Sequence, residues 1–143
     1  MEKAIIDLVQ QLRDEVIANY KDKRLIASGN FERETVVVDS GDSVQIVAPH
    51  YVYQMVQGRR GGSAPPVSVI KQWIKDKNAQ GADIPLEAAW AIVTKIRQDG
   101  IKVPNRFNDG TAVKGVINPQ RVKQLTADIS EIIKARILQI LTK

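Results

Sequence analysis

Apolar residues recur at helical spacing from the first turn of the chain. Ile5, Leu8, Val9, Leu12, Val16 and Tyr20 follow i, i+3, i+4, i+7 steps, which predicts an amphipathic helix over 3–20. Glu2, Lys3, Asp7, Gln11, Arg13 and Asp14 fall largely off that stripe. A polar break at 21–24 follows, and Ser28-Gly29-Asn30 within 25–31 reads as a turn. The period then changes. Thr35-Val36-Val37-Val38 is β-branched throughout, and 43–48 alternates, with Val44 and Ile46 on one side and Gln45 and Val47 on the other. With Ser40-Gly41-Asp42 between them, strands at 34–39 and 43–48 make an antiparallel hairpin. Pro49 cannot donate to a ladder and closes the second strand.

Residues 51–57 fit one or two helical turns. Gly58 to Pro66 holds three glycines and two prolines and predicts a loop. A helix follows over 67–78, with Ile70, Trp73 and Ile74 as its apolar positions. Gly81 and Pro85 separate it from another over 86–98, whose buried stripe is Ala89, Ile92, Val93 and Ile96, with Gly100 as C-cap. Trp90 is assigned to the core. Residues 101–117 read as a long loop, with short strand pieces added to the sheet and Asn108-Asp109-Gly110 as a hairpin turn. A loop of that length usually carries function or reaches outside its own domain. The last helix opens with Asn118 as N-cap and Pro119 at its first position. Its apolar stripe of Val122, Leu125, Ile129, Ile132, Ile133, Ile140 and Leu141, with Arg136 the polar member, must pack on its own sheet or on a neighbouring subunit. The fold class is therefore α+β: an N-terminal helix, a small antiparallel hairpin sheet packed on helices, and a long C-terminal helix, in one domain over 1–143.

Composition sharpens this picture only in part. The chain of 143 residues has no Cys, so disulfides, thiolate metal sites and Cys nucleophiles are excluded. No signal-peptide pattern opens the chain, and no apolar run approaches a membrane span, so neither membrane nor secretion is expected. Net charge is +5, and all of it lies in the second half: 1–71 hold nine bases and nine acids, 72–143 twelve bases and seven acids. Such a bias suits contact with nucleic acid or an acidic surface, or simply a solvated face.

Catalytic chemistry finds little footing. His50 is the single histidine and lacks a Cys or His partner. The carboxylates show no metal-ligand spacing, and Asp39 and Asp42 suit a turn. Gly58-Arg59-Arg60-Gly61-Gly62-Ser63 has neither the Lys-Ser/Thr of a P-loop nor dinucleotide spacing. Ser28 and Ser63 lack an elbow motif. No enzyme activity, cofactor or small-molecule substrate is expected. Arg59-Arg60 remain as an assembly contact or a DNA-facing loop, or as a flexible surface turn with two solvated bases.

One order of motifs adds to this. Tyr51-Val52-Tyr53 leads to Gly58-Arg59-Arg60, then Pro65-Pro66, then Ile70 and Trp73-Ile74. An Ala-rich helix from Ala88 to Gln98 runs into Asp99-Gly100, and the N-terminal helix enters Leu25-Ile26-Ala27-Ser28-Gly29. Over most of its length the chain resembles a small family of tailed-bacteriophage neck and tail-completion (head–tail joining) proteins. It departs from them in having Gly61 where Pro often follows the Arg pair, and Gln57 where an acid is common. The resemblance implies a virion structural protein, assembled in the host cytoplasm, forming a homo-oligomeric ring in the neck or upper tail around the DNA passage. Its partners would be further copies and the neighbouring connector and tail proteins. Gly58, Arg59, Arg60, Gly61, Pro65 and Pro66 are the expected assembly contacts. Lys95, Arg97, Lys102, Arg106 and Lys114 are expected to line the DNA passage through sequence-independent phosphate contacts. A tail terminator or minor tail role, and a small basic nucleic-acid-binding module, are the alternatives.

Overall fold

The computed structural model describes residues 1–26 and 28–143. It is an α+β fold: six helices and one two-stranded antiparallel sheet among the described residues. Helix α1 spans Lys3–Asp22 and buries Ile5, Leu12, Val16, Ile17 and Tyr20. The expected turn at 25–31 ends instead in a short helix, α2 (Asn30–Glu34), entered through Gly29 at φ +79. Ala27 lies outside the described residues. Phe31 on α2 is fully buried, its ring 4.4 Å from that of Tyr20. Val16, Ile17, Tyr20 and Phe31 form the core, joined by half-buried Val52 and Met55 and by Val113, Val116 and Ile117.

Strands β1 (Val36–Asp39) and β2 (Val44–Val47) pair with Val36 opposite Val47 and Asp39 opposite Val44. β1 begins two residues later than the strand expected at 34–39, because the Thr35 amide still donates to Phe31 O at 3.0 Å and closes α2. The hairpin turn forms as expected, with Gly41 at φ +85 and its amide on Asp39 Oδ1 at 2.8 Å. A two-stranded sheet is marginal in water by itself, and here α1 covers one of its faces.

α3 spans Val52–Gln57, α4 Val67–Ala79, α5 Ala88–Asp99 and α6 Pro119–Leu141. α4 and α5 form an antiparallel pair around Ile74, Ala89 and Val93. The Asn78 side chain closes their connection, accepting from Ile84 N and donating to Ile84 O, both at 2.9 Å. Lys77 Nζ, whose pKa burial pulls down, donates to Ile26 O at 2.7 Å and ties α4 to the core. α6 starts at the expected cap, where Asn118 Oδ1 accepts from Arg121 N at 2.9 Å and Pro119 follows. Its main packing partner is α1 rather than the sheet. The two helices run antiparallel, since Arg121 pairs with Glu15 at 2.9 Å and Arg136 approaches Glu2 at 4.0 Å.

Two expectations for 101–117 fail. No strand joins the hairpin sheet; Ile101 forms a single antiparallel bridge with Arg59, in a different part of the fold. Asn108-Asp109-Gly110 joins no strands. The tight turn is 105–108, where Asn105 N donates to Asn108 O at 2.7 Å and Asn108 N returns to Asn105 O at 3.3 Å. Side-chain amides hold this segment from within: Asn108 Nδ2 donates to Met55 O (2.8 Å), and Asn19 Nδ2 to Thr111 O (2.9 Å) and Ala112 O (3.0 Å). Asn and Asp compete for local backbone groups in this way, which favours turns over a ladder.

Two outcomes test the packing. Thr35 is 1% exposed and its Oγ1 meets no partner among the described residues. A near-isosteric Thr35→Val chain should gain about 1 kcal/mol, read as a higher urea midpoint at unchanged slope; an unchanged or lower midpoint would show a satisfied hydroxyl. The Glu15 carboxylate is held below its ordinary range, first by the hydrogen bond from Arg121, with burial opposing. A depressed carboxylate stabilises the fold above its unfolded-state value and loses that contribution as pH falls through the folded value. Urea midpoints should therefore fall more on acidification in the native chain than in Glu15→Gln, by an amount equivalent to roughly 0.2–1 kcal/mol for this half-buried pair near the surface. Parallel acid profiles would refute it.

Candidate functional site

The Gly-Arg-Arg loop is fixed by its main chain. α3 ends where Gly58 N donates to Gln54 O at 2.8 Å, and Gly58 then turns the chain at φ +82. Arg59 and Ile101 exchange backbone hydrogen bonds, Arg59 N to Ile101 O at 2.8 Å and Ile101 N to Arg59 O at 2.7 Å. Gly62 N donates to Arg97 O at 2.7 Å, which satisfies a carbonyl in the last turn of α5 that has no partner within the helix. The loop and the end of α5 thus form a clasp, backbone on backbone.

Glycine is what allows this approach. A Cβ on Gly58 would sit 2.1 Å from Ile101 O, and one on Gly100 2.0 Å from Arg59 O, each also at positive φ. A Cβ on Gly61 would fall 2.6 Å from Gln98 O. The glycines that looked like punctuation for a flexible turn are contact residues. Pro65 and Pro66 lead into α4, where Pro66 O accepts from Val69 N at 3.0 Å and caps its first turn.

The clasp presents a cleft of about 440 Å³ lined in part by Arg59, Arg60, Lys102 and Asp99. Arg59 is half-buried and donates to Ser63 Oγ at 3.2 Å; Arg60 and Lys102 are exposed. Asp99 is held by Lys95 at 2.6 Å, and that hydrogen bond lowers the Asp99 pKa and raises that of Lys95. Lys95 is therefore already paired. Arg97, exposed in the last turn of α5, supplies the carbonyl that holds Gly62. Arg106 lies over the Phe107 ring at 5.4 Å, and Lys114 reaches toward Gly110; neither lines the cleft. Of the five expected DNA-facing bases, Lys102 lines the cleft with the arginine pair, and Lys95 reaches it through Asp99. His50 is exposed, its ring 6.4 Å from that of Tyr53.

Apolar exposure marks a second surface. The α6 stripe is only partly covered: Leu125, Ile129 and Ile132 are half-buried, and none of its residues is fully buried. Beyond Arg136 the helix outruns the start of α1, and Ile137, Leu138, Ile140 and Leu141 stand in solvent, Leu141 at 75% exposure. Trp90 is 61% exposed, which overturns its assignment to the core. It follows Ala89 by one residue, about 100° around α5 from the buried stripe, so helical phase already carried the answer. Phe107, at the tip of the 105–108 turn, is 80% exposed.

No protein-family model matches this chain, and no match is found among curated proteins or solved structures.

The clasp predicts unequal glycine costs. Gly58→Ala and Gly100→Ala should each lower the thermal midpoint more than Gly41→Ala, where φ is +85 but nothing lies within 4 Å of the added Cβ. The Gly41 change should cost about 1–2 kcal/mol from φ alone. Equal losses at all three positions would show that the clasp yields without strain.

Proposed function

We propose that this chain is a structural subunit of a tailed-phage virion, assembling with further copies into a ring in the neck or upper tail around the DNA passage. The observation that carries the reading is the bare apolar end of α6. Ile137, Leu138, Ile140 and Leu141 form a contiguous apolar surface that the monomer leaves in water. Such a patch marks a site of association. The order of motifs through Tyr51, Gly58-Arg59-Arg60, Pro65-Pro66 and Trp73, which resembles the neck and tail-completion proteins, gives the reading its biological setting.

The clasp suits a docking element. Its backbone is fixed, so Arg60 and the half-buried Arg59 are offered from a rigid base with little ordering left to lose on binding. Guanidinium forks on such a base match carboxylates of a neighbouring connector or tail protein, or phosphates of passing DNA. No catalytic role and no cofactor are part of this proposal. A second reading, a basic nucleic-acid-binding module, draws on the cleft where Arg59, Arg60 and Lys102 meet. It calls for DNA binding whose affinity falls steeply with salt.

Locating labelled chains in class-averaged electron micrographs of particles tests the proposal, with density expected at the head–tail junction or tail top. Chains absent from every particle, together with salt-dependent DNA binding, would favour the second reading. Arg59→Glu with Arg60→Glu should leave the fold intact and sharply reduce particle yield; native yield from this double variant would remove the clasp from the assembly contacts.

A further inference from the structure

The molecule has a second bare apolar face besides the end of α6. Val37, Val44 and Ile46 point to the covered side of the hairpin and are half-buried. Val36, Val38 and Val47 point to the other side, where alternation along the strands leaves them exposed. Contacts of α1 place the hairpin and α6 beside it. At mid-helix Arg13 Nε donates to Thr35 O at 2.8 Å, beside the hairpin, whereas Glu15 accepts from Arg121 on α6. At its start Met1 N reaches Asp39 Oδ2 of the hairpin at 3.6 Å, and Glu2 reaches Arg136 of α6 at 4.0 Å.

Charge separates the two faces further. The hairpin segment 34–48 carries Glu34, Asp39 and Asp42 and no base; the helix end 133–143 carries Lys134, Arg136 and Lys143 and no acid. Within one copy Asp39 pairs with Met1 N at 3.6 Å, Lys134 with Glu131 at 2.7 Å and Arg136 with Glu2 at 4.0 Å, which leaves Glu34, Asp42 and Lys143 outside any ion pair among the described residues. Helix end against helix end would bring cations together, and hairpin against hairpin would bring carboxylates together. Helix end against hairpin brings opposite signs to the rim of an apolar contact, the arrangement that selects one pairing over others.

We infer that the α6 end of one copy docks on the outer face of the hairpin of the next. Ile137, Ile140 and Leu141, at i, i+3 and i+4, supply the apolar ridge that covers Val36, Val38 and Val47. Lys143 meets Asp42 and Glu34 at the rim. The contact is heterologous: each copy uses its helix end toward one neighbour and its hairpin toward the other. Repeated, it closes a ring if the rotation per copy divides a full turn, and otherwise runs open. The inference deepens the ring proposal above and rests on it for its biological setting, but the contact itself is a property of the purified chain.

The chain has no native Cys, which permits a direct test. Val38→Cys and Leu141→Cys chains, one carrying a mass tag, are mixed at high concentration and oxidised, with circular dichroism and thermal unfolding verifying the fold of each. Both positions are exposed, so both variants should fold. The mixed disulfide is expected well above its statistical share, and falling as salt is raised. Leu141–Leu141 cysteine pairs in excess, or a statistical mixture, would overturn the contact. The two proposals fail separately. A favoured mixed disulfide from a protein absent from particle necks leaves the contact standing and removes the virion role. Labelled density in the neck with statistical cross-linking does the reverse.

Discussion

A sheet of two strands has too little surface to hold itself together in water, and this chain solves the problem with one helix. α1 buries Ile17 and Tyr20 against Phe31 and the residues around the hairpin, and its Arg13 binds the carbonyls of Glu32 and Thr35. The same helix holds α6 through Glu15, which accepts from Arg121. Burial against this single helix is the constraint on which the body of the molecule depends. It also explains what remains uncovered. The hairpin and α6 each have an inner face that α1 shields and an outer face that it cannot reach.

The second organising feature is the clasp. Main chain from two distant stretches meets at Arg59 and Ile101, and three glycines remove the side chains that would block it. This converts a Gly- and Pro-rich stretch into a rigid part. The arginines it carries owe their position to backbone pairing, so their environment depends on Gly58, Gly61 and Gly100 as much as on their own chemistry.

Elements whose signals are periodic were legible in the sequence. The α1 stripe, the β-branched hairpin with Gly41, the Asn118-Pro119 start of α6 and the Ala89–Val93 face of α5 all follow from local spacing. What sequence could not supply was long-range pairing. Residues 101–117 carry no periodicity, and their order comes from Asn19, Asn108 and Asn105, whose partners depend on the fold. The clasp was hidden for the same reason: the glycines were visible, but the backbone each one approaches was not. For the candidate bases, composition indicated a positive half, whereas packing gave Lys95 to Asp99 and set Arg106 on Phe107. The apolar excess of α6 was legible; that its last turns would pass beyond α1 required the register of the two helices.

The bridge between Arg59 and Ile101 also ties the two ends of everything between them. α4 and α5 leave the body and return to it at one neck, and Lys77 is their further tether, to the chain after α1. Such a segment is a lasso, whose interior can lengthen, shorten or open as a unit without moving the register of α1, the hairpin and α6. The framework and the lasso are thus free to vary at different rates, one held by the packing of α1 and the other answering at its neck and at Lys77.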